Sequence, residues 1–176
     1  ISTFVAKYKQ YPPNRYSLTK KHFEEWGKYY SSHYDINFKN IVLHQVYGEG
    51  DSINKFTPWL INELNKNVSS IDLTEGDQQR DFVNVIDVAD AVLLILKKEI
   101  SYNYEEFEVC TGITTTVKEF AELAKKITHA HTSLNFGSIN YRVNELMIIN
   151  PDSSSLQKLG WKPKINLEKG IKNIAL

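Results

Sequence analysis

The chain has 176 residues, 41% of them hydrophobic, with 21 basic residues balanced by 21 acidic ones. That length makes one domain or part of a larger one, and the zero net charge gives no reason to expect a nucleic acid or an anionic membrane as partner. A lone cysteine, Cys110, excludes an internal disulfide or a thiolate metal cluster and suits a reducing cytoplasm, and no apolar run is long enough to span a bilayer.

Ile1 opens an apolar-polar run without a methionine, which reads as the middle of a protein. Ile1–Val5 predicts a short strand, and Tyr8–Pro13 a loop closed by Pro12-Pro13. From Tyr16 to about Tyr34, Leu18, Phe23, Trp26, Tyr29 and Tyr30 recur at helical spacing. Asn40–Tyr47 is a strand ending in the turn Gly48-Glu49-Gly50, Phe56–Leu64 a helix, and Ser69–Thr74 extended. Arg80–Val85 reads as a strand, with Asp87 as N-cap of a helix over Val88–Lys97. Phe107–Thr111 is a buried strand. Thr116 caps a helix reaching about Ile127, with Glu119 completing a capping box. Short helices around Ser153–Leu159 and from Leu167 close the chain. Strands alternating with helices predict an α/β fold with a parallel sheet covered on both faces.

Tyr16 and Lys20 carry the chemistry. Four residues apart on a helix, they stack on one face about one turn from each other. A positive charge beside a phenol favours its ionised form, so such a tyrosine can exchange a proton with a sugar hydroxyl or ketone near neutral pH. A free phenol, with a pKa of ~10, does this poorly. His129 and His131 have no carboxylate or thiol at ligand spacing and read as a solvated loop, so no metal site is expected. Cys110 reads as a small core residue, and Trp26, Trp59 and Trp161 as packing residues.

Four strings in order extend this reading. Tyr16-Ser17-Leu18-Thr19-Lys20, Val46-Tyr47-Gly48-Glu49-Gly50, Arg80-Asp81-Phe82-Val83 with Asp87-Val88-Ala89-Asp90-Ala91, and Leu159-Gly160-Trp161-Lys162-Pro163 resemble the second half of an extended short-chain dehydrogenase/reductase. That family acts on nucleotide-diphosphate sugars with NAD or NADP. The resemblance covers essentially the whole chain and implies the end of a Rossmann-type doubly wound parallel sheet plus a small substrate-binding lobe. Residues 1–50 and 80–111 would form the sheet end and the Tyr-Lys helix, and residues 51–79 and 112–176 the lobe. The dinucleotide-binding first half, with its glycine-rich turn, is not in this sequence. The chain therefore reads as a fragment, expected to be inactive alone, of a cytoplasmic enzyme that forms a possible homodimer through the Tyr16–Tyr34 helix.

The resemblance assigns roles residue by residue. Tyr16 is the acid/base, and Lys20 supports it and holds the nicotinamide ribose. Ser2 or Thr3 supplies the family's third hydroxyl, since either register fits. His44, Gln45 and Val46 border the nicotinamide and sugar, with Gln45 and Val46 on the cofactor and His44 on the substrate beside Lys55. Arg80 and Arg142 grip the diphosphate, a task suited to a guanidinium fork. The family usually has proline where Glu49 stands and arginine near Val42.

Chemistry narrows the reaction. Sugar 4,6-dehydratases of the family carry an Asp-Glu pair directly after the active-site Thr, whereas here Ser2-Thr3-Phe4-Val5 has no carboxylate. Epimerase-reductases need a Cys and a His beside the ketone, and Cys110 does not match that position. Simple hydride transfer at C4 remains, as a 4-ketoreductase or a 4-epimerase. The strings Tyr47–Asp51, Asn54-Lys55-Phe56 and Asn144–Met147 look most like members that reduce the C4 ketone of a CDP-4-keto-3,6-dideoxyhexose for surface polysaccharide. A truncated, non-catalytic product is the other alternative.

Overall fold

The computed structural model describes residues 1–9, 13–99 and 103–175. The chain starts with β1 (Ser2–Thr3), turns at once into α1 (Phe4–Tyr8), and then forms α2 (Arg15–His33). The expected strand Ile1–Val5 is thus cut to two residues, because Phe4 enters the core from a helix and packs with Val42 and Ile149. Most of the expected loop from Tyr8 to Pro13 falls outside the described residues.

Asn14 caps α2, its side chain accepting the Ser17 N–H at 2.8 Å. The helix sits where its sequence predicts, but its inner face is not the aromatic one. Ser17, Gly27 and Ser31 are buried, while Phe23, Trp26, Tyr29 and Tyr30 are exposed. Small residues win the inner stripe because the helix lies so close to the sheet. A Cβ on Gly27 would stand 2.6 Å from the Phe38 ring.

β2 (Phe38–Leu43) runs parallel to β1, with Ser2 opposite Val42. The single strand expected over Asn40–Tyr47 is two, since β3 (Gln45–Tyr47) joins a different sheet. His44 is the point of departure. Its N–H reaches the Val109 carbonyl at 3.5 Å, whereas the next N–H, of Gln45, donates to Asp81 at 2.9 Å. After α3 (Phe56–Asn65), β4 (Ser70–Asp72) and β5 (Gln79–Arg80), β6 (Phe82–Asn84) pairs with β3 in parallel.

α4 (Val85–Lys97) is capped by Asn84, which accepts the Ile86 N–H at 3.0 Å. The expectation that Asp87 caps it is corrected. Asp87 is buried in the first turn, and its carboxylate instead accepts the N–H groups of Lys164 and Ile165, each at 3.0 Å. β7 (Tyr104–Val109) pairs with the free edge of β2 over its full length, from Phe38–Tyr104 to Leu43–Val109.

β8 (Thr115–Thr116) pairs antiparallel with β5, and α5 (Val117–Thr128) carries the expected Thr116–Glu119 capping box. β9 (Ser133–Asn135) adds to β4 in parallel, and α6 (Ser154–Gln157) and α7 (Leu167–Ala175) complete the fold. No described helix is long and apolar enough to cross a membrane.

Two cores flank β6, because successive strand residues face opposite ways. Phe82 packs with Leu60 and Leu64 of α3, Phe120 of α5 and Ile171 of α7. Val83 packs with Ile41, Ile95, Phe107, Leu156 and Trp161. Trp161 also donates its indole N–H to the Asp87 carbonyl at 3.2 Å, which pins the C-terminal segment to α4.

Candidate functional site

α2 sets Tyr16 and Lys20 on one face, with Lys20 Nζ 5.5 Å from the centre of the Tyr16 ring. Tyr16 is exposed and Lys20 half-buried. Neither the phenol oxygen nor the ammonium makes a hydrogen bond or ion pair among the described residues, so both remain able to serve the hydroxyls of a ligand.

The two hydroxyls proposed as the third group part company, since adjacent strand residues point to opposite faces. Ser2 is 3% exposed and its Oγ has no hydrogen-bond partner among the described residues, whereas Thr3 is half-buried at the start of α1. Ser2 is thus the orphaned donor and Thr3 the reachable one.

A cavity of about 340 Å³ lies where β3, β5 and α3 meet the segment 139–145. Gln45, Phe56, Trp59, Gln78, Arg80 and Arg142 are among its walls. Arg80 is largely buried and already engaged. One guanidinium nitrogen donates to the carbonyls of Gln79, at 2.7 Å, and Leu146, at 2.6 Å, and the other pairs with the Glu145 carboxylate. Burial lowers the Arg80 pKa from its ordinary value and the neighbouring Arg142 lowers it further, against the opposing pull of Glu145. Arg142 is exposed and makes no ion pair among the described residues.

The structure brings Arg80, Arg142 and Gln45 to one cavity, but not Tyr16 and Lys20, which stand outside its walls on α2. The link between the two groups is Phe4. Its ring lies 5.8 Å from the Arg80 guanidinium, and it follows Thr3 directly in the segment against which α2 packs.

Two expected contacts are corrected. His44 is buried rather than bordering the cavity, because its ring stacks on Phe4 at 5.4 Å and its Nε2 lies 2.7 Å from Glu108. Lys55 pairs with Asp51 at 2.7 Å and lines a separate surface pocket with Val46, Gly48 and Gly50, so the turn after β3 holds it away from the arginines.

Sequence reasoning missed the network behind His44. Lys7 Nζ lies 2.5 Å from Glu108 Oε1, and the Tyr8 hydroxyl donates to Glu108 Oε2 at 3.1 Å. Burial pushes Glu108 up, but the hydrogen bonds and charges of His44 and Lys7 outweigh it and hold the carboxyl at about 2. Burial, with the charges of Asp81 and Glu108, pushes the Cys110 thiol up. His44, Glu108 and Cys110 offer ligand atoms within 4.8 Å of one another. With both Glu108 oxygens taken by Lys7, His44 and Tyr8, we read this group as a buried ion-pair network. Glu145 and Gln78 were also missed, although Gln78 stands only two residues before Arg80.

A family model described as the NAD dependent epimerase/dehydratase family matches residues 2–110. CDP-abequose synthase of Salmonella typhimurium is 40% identical over 163 residues, which cover 90% of this chain and 54% of that protein. dTDP-L-rhamnose 4-epimerase of Burkholderia thailandensis is 32% identical over 167 residues, covering 91% of this chain and 45% of its own length. Among solved structures, UDP-glucose 4-epimerase of Thermotoga maritima with UDP-glucose superposes with a TM-score of 0.83 at 24% identity, over 94% of this chain and 53% of that one. The chain spans about half the length of the relatives it matches. A parallel α/β framework, the Tyr-Lys pair and these matches agree: the chain belongs to the NAD dependent epimerase/dehydratase family.

Proposed function

We propose that this chain carries the proton-donating and sugar-nucleotide-holding parts of an NAD(P)-dependent enzyme that reduces the C4 ketone of a nucleotide-diphosphate 4-keto-deoxyhexose. The observation that carries the reading is the stacking of Lys20 over Tyr16 on an open helix face beside Thr3. The 40% identity to a protein named CDP-abequose synthase supports the choice of reduction, and of a CDP-linked sugar bound for surface polysaccharide.

The residues present fit the nicotinamide end of a cofactor. Lys20 has an ammonium unpaired among the described residues for ribose hydroxyls, and Gln45, the first residue of β3, lies on the cavity wall, whereas Val46 turns to the separate pocket beside Lys55. A bound nicotinamide supplies hydride to C4. As the ketone becomes an alkoxide, Tyr16 gives its phenolic proton to that oxygen, and Lys20 offsets the negative charge left on Tyr16. Thr3 offers a further hydroxyl to the same oxygen. Arg142 and Arg80 hold the diphosphate, Arg80 by exchanging Glu145 for a phosphate oxygen. In this proposal residues 51–79 and 112–176 act as the substrate lobe, and the exposed aromatic face of α2 serves as the contact between two copies.

The test is Tyr16→Phe in the enzyme that contains this chain. Turnover falls about 100-fold or more while the KM for the nucleotide sugar stays nearly constant. Full activity would remove Tyr16 from the chemistry. A second reading, 4-epimerisation, draws on the 32% identity to a dTDP-L-rhamnose 4-epimerase. It needs the same three groups, and it predicts that the alcohol epimer interconverts without net consumption of NAD(P)H.

A further inference from the structure

Thr3 stands at the N-cap position of α1, yet its side chain makes no capping hydrogen bond. A threonine in that place commonly gives its oxygen to the helix, which contributes about 1 kcal/mol. Here the hydroxyl is kept for a ligand, and a helix of five residues, too short to hold itself in water, needs another anchor. Its own side chains supply that anchor. Phe4, Lys7 and Tyr8 stand at i, i+3 and i+4 and so share one face, and all three meet His44 or Glu108.

Strand register brings these groups together. Ser2 pairs with Val42 and Thr3 with Leu43, and one residue further sets Phe4 beside His44, where β1 becomes α1 and the chain leaves β2. The Phe4 and His44 rings stack at 5.4 Å with their planes 17° apart, and the Tyr8 ring meets His44 edge-on at 6.0 Å. Glu108 of β7, opposite Val42, fixes the His44 ring through Nε2 at 2.7 Å and takes Lys7 on its other oxygen at 2.5 Å. Three neighbouring strands thus bear on the residue that follows Thr3. The Arg80 guanidinium also lies 5.8 Å from the Phe4 ring, but it has its own supports in the carbonyls of Gln79 and Leu146. Loss of the His44 ring therefore shifts Thr3 rather than the arginine.

We propose that His44, held by Glu108, is a positioning residue that acts through Phe4 to aim the Thr3 hydroxyl at the oxygen being reduced. This rests on the reading of Thr3 as a hydroxyl donor to that oxygen. The test is a double-mutant cycle in the enzyme that contains this chain, with Thr3→Val, His44→Ala and the two combined, and with His44→Phe to restore a ring under Phe4. Thr3→Val and His44→Ala each lower kcat about tenfold, less than the roughly hundredfold that a misplacement of about 1 Å can cost. The KM for the nucleotide sugar stays within about twofold in His44→Ala. In the Thr3→Val background the same change at His44 lowers kcat less than about twofold, because no hydroxyl is left to misplace. His44→Phe recovers most of the turnover. Hydrogen exchange read by mass spectrometry rises over residues 1–9 in His44→Ala and returns toward the wild type in His44→Phe. Unchanged turnover in His44→Ala, an equal loss in the two backgrounds, no recovery in His44→Phe or unchanged exchange over residues 1–9 overturns the proposal while the reading of Thr3 stands. Full turnover in Thr3→Val removes that reading, and the positioning role with it. Should His44→Ala fail to fold, Lys7→Met, which releases an exposed residue of α1 from Glu108, takes its place in the cycle with a loss of about threefold, and equal losses in the two backgrounds overturn the proposal there too.

Discussion

Replacing Glu108 by glutamine removes a charge from the buried network while keeping its shape, and the effect should depend on acid in a defined way. Glu108 is held at about 2 against an ordinary 4.5, chiefly because His44 and Lys7 overcome the cost of its burial. A depressed carboxylate stabilises the fold above its unfolded pKa, and the contribution is lost as pH falls toward its folded pKa. From pH 6 to full protonation the difference corresponds to about 3 kcal/mol, of which about 2 kcal/mol disappears between pH 6 and pH 3. Glu108→Gln cannot take up that proton. Urea unfolding followed by tryptophan fluorescence at pH 6, 4.5 and 3 should show the wild type more stable by about 3 kcal/mol at pH 6, with the gap closing to about 1 kcal/mol at pH 3. Lys7 keeps Glu106 at 2.8 Å in the variant, so the loss reports mainly on the Glu108 charge. A gap that stays constant across this range would show that the network does not set the carboxyl's affinity for protons.

Two more substitutions test other parts of the molecule. Arg142→Ala should weaken CDP binding by about 10- to 100-fold in calorimetry, because an exposed guanidinium with no ion pair among the described residues is available to phosphate; unchanged affinity would take Arg142 out of the site. Gly170→Ala places a methyl 2.0 Å from the Tyr47 hydroxyl in the core between α7 and β3. It should lower stability by about 1–2 kcal/mol despite alanine's better helix propensity, seen as a drop of several degrees in Tm, and an equal or higher Tm would mean that α7 shifts freely.

Local rules found much of this fold because local interactions make it. The Thr116–Glu119 capping box and the amphipathic helix behind it need only four adjacent residues, and both stand as expected. Where long-range partners decide, the same rules misplace residues. Asp87 looked like an N-cap, yet the N–H groups of Lys164 and Ile165, more than 70 residues later, claim its carboxylate and leave the cap to Asn84. Periodicity marked the apolar positions of α2 and Trp26 was expected to pack, while close approach to Phe38 gives the inner face to Gly27 and two serines and leaves Trp26 exposed. His44 sat in a strand that reads as continuous, and nothing local marks the switch between sheets that buries it. At the candidate site, the Tyr-Lys spacing and both arginines were visible as residue types. The Glu145 and Leu146 partners of Arg80 come from a segment about 65 residues later and were not.

The carboxylate already resting on Arg80 changes what ligand capture involves. If Arg80 takes the diphosphate as proposed, an arriving phosphate swaps places with an internal counter-ion instead of meeting a bare cation, and the field that draws it in is that of Arg142, whose guanidinium makes no ion pair among the described residues. Association should then slow only gently as salt is added, with the slope of one charge rather than two. Glu145 belongs to the same short segment as Arg142 and Leu146, so in that proposal its displacement would reach a stretch of backbone that β5 otherwise holds in place.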